Sequence, residues 1–155
     1  MLGADFLLIA DHPWPGKVAE EALSAGLAVV ETRTFPSMVT LGQGDGVRAQ
    51  LVEIKAVSDG YPLRGSLRIA AQRNAADSPA RGIPLPGTIW IDERLASALS
   101  AGVGDTLAVG QQTLQVAAIL TLEPDRGVNF FSVAPWLPST LRPSRSSDWM
   151  VLVPS

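Results

Sequence analysis

The chain carries one histidine, His12, and it stands beside Pro13 with Pro15 close behind. Nucleophilic serine catalysis needs a serine, a base and an orienting acid within hydrogen-bond reach. With a single imidazole and no G-x-S-x-G elbow, that chemistry has no evident base, and His12 reads as a surface turn residue. Close carboxylates occur at Asp92-Glu93 and at Glu123-x-Asp125, where a metal or a glycosidic acid and base would want them. Asp92-Glu93 beside Trp90 is the nearest approach to a sugar groove, yet it reads more simply as a strand end and a helix cap; Glu123-x-Asp125 reads as a loop. The glycine-rich run 42–46 reads as a hairpin tip rather than a phosphate cradle, and no G-x-x-x-x-G-K-[ST] occurs. No catalytic, cofactor-binding or metal-binding residue is assigned.

Two chemical alternatives stay open on the residues alone. A small freestanding hydrolase using Asp92, Glu93 or Asp125 would need a deep polar pocket with shifted carboxylates. A soluble ligand-binding module would need a buried apolar cavity of roughly 300 Å3 or more. What stands out instead is apolar and aromatic sequence in unpatterned segments. Trp14 lies between prolines, Tyr61 and Leu63 are followed by Arg64, and Arg126 precedes Phe130, Phe131 and Trp136. Aromatics with arginine nearby are typical interface anchors, so these eight residues are the candidate partner or cargo contacts. The competing reading is that they plug the ends of the core.

These residues must be positioned by a chain of 155 residues, enough for one domain or one domain with two lobes. Cysteine is absent, which removes disulfides, zinc ribbons and thiol nucleophiles without fixing the compartment. The net charge is −3, from two lysines and ten arginines against 15 acids, and no basic patch is visible. Binding driven by nucleic-acid phosphates or an anionic membrane surface is therefore disfavoured. Apolar residues make up 46% of the chain and mean hydropathy is +0.21, yet the longest apolar stretches fall far short of the ~20 residues that span a bilayer. Met1 leads into Leu2-Gly3-Ala4 without a basic n-region, as expected of a cytoplasmic protein or of a loop between two membrane helices.

Apolar runs and breakers predict the elements. Residues 5–10 read as a buried strand, 17–25 as a helix with Val18, Ala22 and Ala25 on one face and Gly26 at its αL cap, and 28–34 as a strand. This gives an opening β-α-β unit. Residues 37–41 and 47–57 then form a hairpin around 42–46, with Pro36 marking an edge or kink. The change of parity in 47–57 implies either a bulge or burial on both sides. A short strand over 67–71 precedes 72–86, an aperiodic stretch read as a mobile segment or a junction between lobes. Next come a strand over 88–91, Asp92 as N-cap, and a helix over 93–101 burying Leu95, Ala98 and Leu99, capped by Gly102. A hairpin pairs 106–109 with 113–122, and 149–153 reads as a last strand.

Four phrases in fixed order carry a family resemblance. They are FPSMV (35–39), LVEIKAVSDGYPLRG (51–65), PGTIWIDERL (86–95) and EPDRG (123–127). Together they resemble the first extracytoplasmic domain of ABC-transporter permeases of the MacB/FtsX superfamily, in its YbbP-like branch. VGDTL at 103–107 with VAAIL at 116–120 is similar to a feature shared more widely by MacB-like periplasmic core domains. Residues 136–155 depart from that pattern. The resemblance implies an α+β fold, with a porter-like β-α-β lobe and a second β-rich lobe holding one helix and a hairpin, the whole of 1–155 forming one extracytoplasmic domain. It implies no enzyme activity and no cofactor. The implied role is mechanotransmission, in which ATP binding at a cognate ABC ATPase subunit moves transmembrane helices and tilts this domain at the periplasmic face of the bacterial inner membrane. Implied partners are a periplasmic protein or amphipathic, lipid-like cargo.

Overall fold

The computed structural model describes residues 8–10, 15–123, 131–132 and 149–154. The fold is α+β, built among the described residues on one nine-stranded sheet with two α-helices. Residues 8–10 carry no strand, and the rest of the strand expected over 5–10 lies outside the described residues. Helix α1 (Gly16–Ser24) follows the predicted helix closely and buries no residue. It ends as expected at Gly26 (φ 78°), where Leu27 N–H donates to the Ala22 carbonyl and Gly26 N–H to that of Leu23, the bond pair of a Schellman motif.

The strand expected over 28–34 begins four residues late. Strand β1 (Thr32–Leu41) starts at Thr32, where the N–H of the preceding residue leaves the backbone ladder for a side chain. Glu31 N–H donates to the Ser58 hydroxyl, and its carbonyl accepts from Ser58 N–H, both at 3.0 Å. Strand β2 (Arg48–Val57) pairs with β1 in unbroken antiparallel register from Thr32↔Val57 to Leu41↔Arg48. There is no bulge in this pair; the mixed parity of β2 reflects burial on both sides over its second half, where Val52, Ile54, Lys55, Ala56 and Val57 are all buried. Pro36 sits where β1 has only β2 as a neighbour among the described residues, since β6 meets β1 at Val39 and Thr40. A residue without an N–H costs no ladder bond on that side. The tip is tight: Gly42 has φ 97°, and a Cβ there would lie 3.0 Å from the Gly46 carbonyl oxygen.

Strand β3 (Arg68–Ala70) lies within the predicted 67–71, and Ser78–Pro79 of the aperiodic stretch pairs with it as β4. Strand β5 (Thr88–Asp92) leads straight into helix α2 (Glu93–Leu99), where the Asp92 carboxylate accepts from Leu95 N–H at 2.8 Å as an N-cap. Two details of this helix differ from expectation. It buries Ala96 with Leu95 and Leu99, while Ala98 is exposed. Its αL position is Ser100 (φ 50°) and not Gly102: Ala101 N–H returns to the Ala96 carbonyl at 2.8 Å, which places Ala101 in the core. Gly102 instead donates its N–H to the Asp105 carboxylate, closing the next turn. Arg48 of β2 donates to the last helical carbonyl, Leu99 O, at 2.8 Å.

Strands β6 (Thr106–Val109) and β7 (Gln112–Leu122) form the predicted hairpin. β7 is the hub of the sheet, paired at its start with β6, along its middle with parallel β5 and at its end with β3. Opposite β5 the register jumps from Ile89↔Val116 to Trp90↔Ala118, leaving Ala117 as an extra residue. That single bulge lets β7 serve two cores. Leu114 and Val116 join Val39, Ile54, Ile91 and Leu95 in the cluster under α2, whereas Ala118 and Leu120 join Val57, Tyr61, Leu67 and Trp90 in a second cluster. Strands β8 (Phe131–Ser132) and β9 (Trp149–Pro154) both pair with β2, and β9 covers the expected last strand. Among the described residues no helix is long and apolar enough to cross a membrane.

Candidate functional site

The close carboxylates are occupied with structural work. Asp92 is 4% exposed and caps α2, and Glu93 accepts from Asn74 N–H at 3.3 Å. Asp125 and His12 lie outside the described residues. Among the described residues no group of three or more His, Cys, Asp or Glu could hold a metal ion. A shallow depression lined by Glu31, Arg33, Ala56, Val57 and Ser58 encloses about 10 Å3, far below the ~300–1,000 Å3 of ordinary ligand sites.

Of the eight candidate contacts, Trp14, Arg126, Phe130 and Trp136 lie outside the described residues, and Phe131 is placed only as backbone in β8. The remaining three come from one phrase but part company. Tyr61 turns inward, 6% exposed, into the second core cluster. Leu63 and Arg64 stand on the exposed turn that follows it. The turn is anchored at its base, because Tyr61 N–H donates to the Ser58 carbonyl and Ser58 is itself bonded twice to Glu31.

Around Tyr61 the structure assembles a buried polar cluster that sequence reading did not single out. Lys55 comes from β2 and Glu123 is the first residue after β7; their side chains are 7% and 1% exposed. The Lys55 ammonium donates to Glu123 Oε1 and, at 2.5 Å, to the Tyr61 hydroxyl, which in turn donates to Glu123 Oε1. Lys55 Nζ also sits 4.6 Å from the centre of the Tyr61 ring. Glu123 Oε2 is buried with no hydrogen-bond partner among the described residues. A signal for this cluster exists in the sequence: a lysine inside the apolar run LVEIKAV, and a glutamate closing AAILTLE. Charges so placed are buried only if they find each other.

A second polar knot pins the 72–86 stretch. Arg68 donates to Asp77 Oδ1 at 2.6 Å, and the Thr121 hydroxyl donates to Asp77 Oδ2 at 2.6 Å, with the Arg68 carbonyl 3.1 Å away as a second acceptor. Thr121 is free to do this because the β3–β7 register jumps from Arg68↔Leu122 to Ile69↔Leu120 and leaves it unpaired in the ladder. The Arg68 guanidinium first, and the Thr121 hydroxyl second, hold the Asp77 carboxyl down at about 2. Among the described residues the arrangement offers an exposed turn and one buried carboxylate–amine–phenol cluster, whose three polar atoms are engaged with one another.

No known protein-family model matches the chain. No solved structure matches it either. The chain is 34% identical over 136 residues, 88% of its own length, to YbbP of Escherichia coli (strain K12), described as an uncharacterized ABC transporter permease. It spans about 15% of that relative's length. This likeness supports an ABC transporter permease-family domain.

Proposed function

We propose that this ABC transporter permease-family domain is a mechanical element of a longer membrane protein. It stands on the extracytoplasmic side as a MacB-like periplasmic core domain, and it carries motion started by ATP at a cognate ATPase subunit to a partner protein or amphipathic cargo in the envelope. A role of this kind needs a body that turns as a unit, so that displacement at one end is not absorbed as local strain. The observation that carries the reading is the shared construction of the two cores. Strands β2, β5 and β7 each contribute side chains to both clusters, as with Ile54 and Val57, Ile89 and Trp90, Val116 and Leu120. A force on one face therefore loads the other through the same backbone.

Similarity to a permease favours a role without chemistry of its own, and the engagement of Asp92 in a cap, Glu93 in a backbone hydrogen bond and Glu123 in an ion pair supports that. The contact surface in this reading is centred on the exposed turn with Leu63 and Arg64. The test uses the full permease with its ATPase in lipid nanodiscs. Cysteine pairs carrying spin labels are placed within this domain, and between it and a membrane-spanning reference point. The expected result is an ATP-dependent shift in the second distance with the first unchanged. A domain whose distance to the membrane reference does not respond to ATP, or whose internal distance changes as much, contradicts the proposal.

A further inference from the structure

Two stretches distant in sequence meet at Lys55, Tyr61 and Glu123: the second half of β2 with the segment that follows it, and the residue just after β7. Taking an ammonium and a carboxylate out of water is costly, and their attraction repays the cost only when every remaining lone pair is satisfied. Here Glu123 Oε2 is buried without a partner among the described residues, so the cluster is poorly explained as a source of stability. An apolar trio of similar volume would suit the second core cluster, with Val57, Leu67, Trp90 and Leu120 around it, at least as well. What a charged cluster supplies and an apolar one does not is a single permitted arrangement, because a slipped ion pair leaves two buried charges alone.

We propose that Lys55 and Glu123 are positioning residues. They fix the Tyr61 hydroxyl, and through it the place of the exposed 63–66 turn, with Leu63 and Arg64, relative to the sheet. The inference rests on the reading of that turn as a contact surface and names the device that aims it. Tyr61 is the residue from which the turn departs, it is 6% exposed, and its backbone N–H is tied to Ser58, which is bonded to the entry of β1. Side chain and backbone are thus held separately, the first by Lys55 and Glu123 and the second by Ser58. A turn held in this way is presented to a partner already ordered, which lowers the entropy lost on binding.

The 155-residue chain itself serves for the test, so the outcome does not depend on any activity of the permease. It has no cysteine, so Leu63→Cys with Ser97→Cys on the exposed face of α2 gives one defined pair of spin labels. The pair and the urea midpoint are measured in the parent chain, in the single variants Lys55→Met, Tyr61→Phe and Glu123→Leu, and in the triple variant Lys55→Met/Tyr61→Phe/Glu123→Leu. The single Lys55→Met is expected to lower the urea midpoint, and the triple variant to recover it. Despite that recovery, the distance distribution is expected to broaden in the triple variant and in Tyr61→Phe. A triple variant with the parent's narrow distribution would show that packing alone places the turn. Loss of midpoint in the triple variant equal to the sum of the single losses would show no coupling. Either result overturns the assignment. Tyr61→Phe, which removes one hydroxyl, keeps the test informative if the triple variant fails to fold.

Discussion

Asp77 holds a loop to the sheet by charge, and its effect on stability must therefore depend on pH. In the unfolded chain an aspartate titrates near 3.9. In the folded chain Arg68 and Thr121 keep Asp77 ionised down to about 2. A depressed folded value means that the contribution is fully present above the unfolded value, shrinks as pH falls below it, and is gone once pH passes through about 2. The expected result is a stability gap between the parent chain and Asp77→Asn that narrows as urea midpoints are taken from about pH 5 towards about pH 2. A gap that stays constant across this range would mean that the carboxylate charge is irrelevant. Asp92 makes a simpler prediction. Asp92→Ala leaves Leu95 N–H without its acceptor at a buried helix start and should cost about 0.5–2 kcal/mol in equilibrium unfolding. Asp92 was legible in the sequence because a cap is a local event, one side chain three residues from its donor. Lys55 and Glu123 were legible only singly, as charges set in apolar runs; their pairing spans 68 residues, so the partner of each was not.

At the level of elements, α2 shows where periodicity reaches its limit. Leu95 and Leu99 define the buried stripe, and an alanine flanks it on each side, Ala96 and Ala98, so the residue types do not choose between them. The sheet chooses Ala96, because the Schellman turn at Ser100 brings Ala101 into the core on that side. Leu99→Ala should cost about 2–5 kcal/mol, whereas Ala98→Ser should stay within about 0.5 kcal/mol, both by urea denaturation. Equal losses at the two positions would place the buried face wrongly. The β1–β2 hairpin was readable from its glycine tip, and its register is continuous. The bulge at Ala117 was hidden because Val116, Ala117 and Ala118 are all apolar, so their types do not mark which of them is the exposed extra residue.

For the molecule as a whole, the sheet with one core under α2 and another on strands it shares is the feature on which the proposed mechanical role rests. α+β composition, the second-half helix and its hairpin were legible because each rests on contacts close in sequence. The shared cores were not, since they arise from β7 meeting β5, β6 and β3 at once. A lever requires these cores to fail together. Native-state hydrogen exchange of the 155-residue chain measures this most directly, amide by amide along β2, β5, β7 and α2. The account predicts one opening free energy for slowly exchanging amides beside Ile54, Ile91 and Leu114 and for those beside Val57, Trp90 and Leu120. Two separate opening free energies, with one cluster exchanging while the other stays closed, would contradict it.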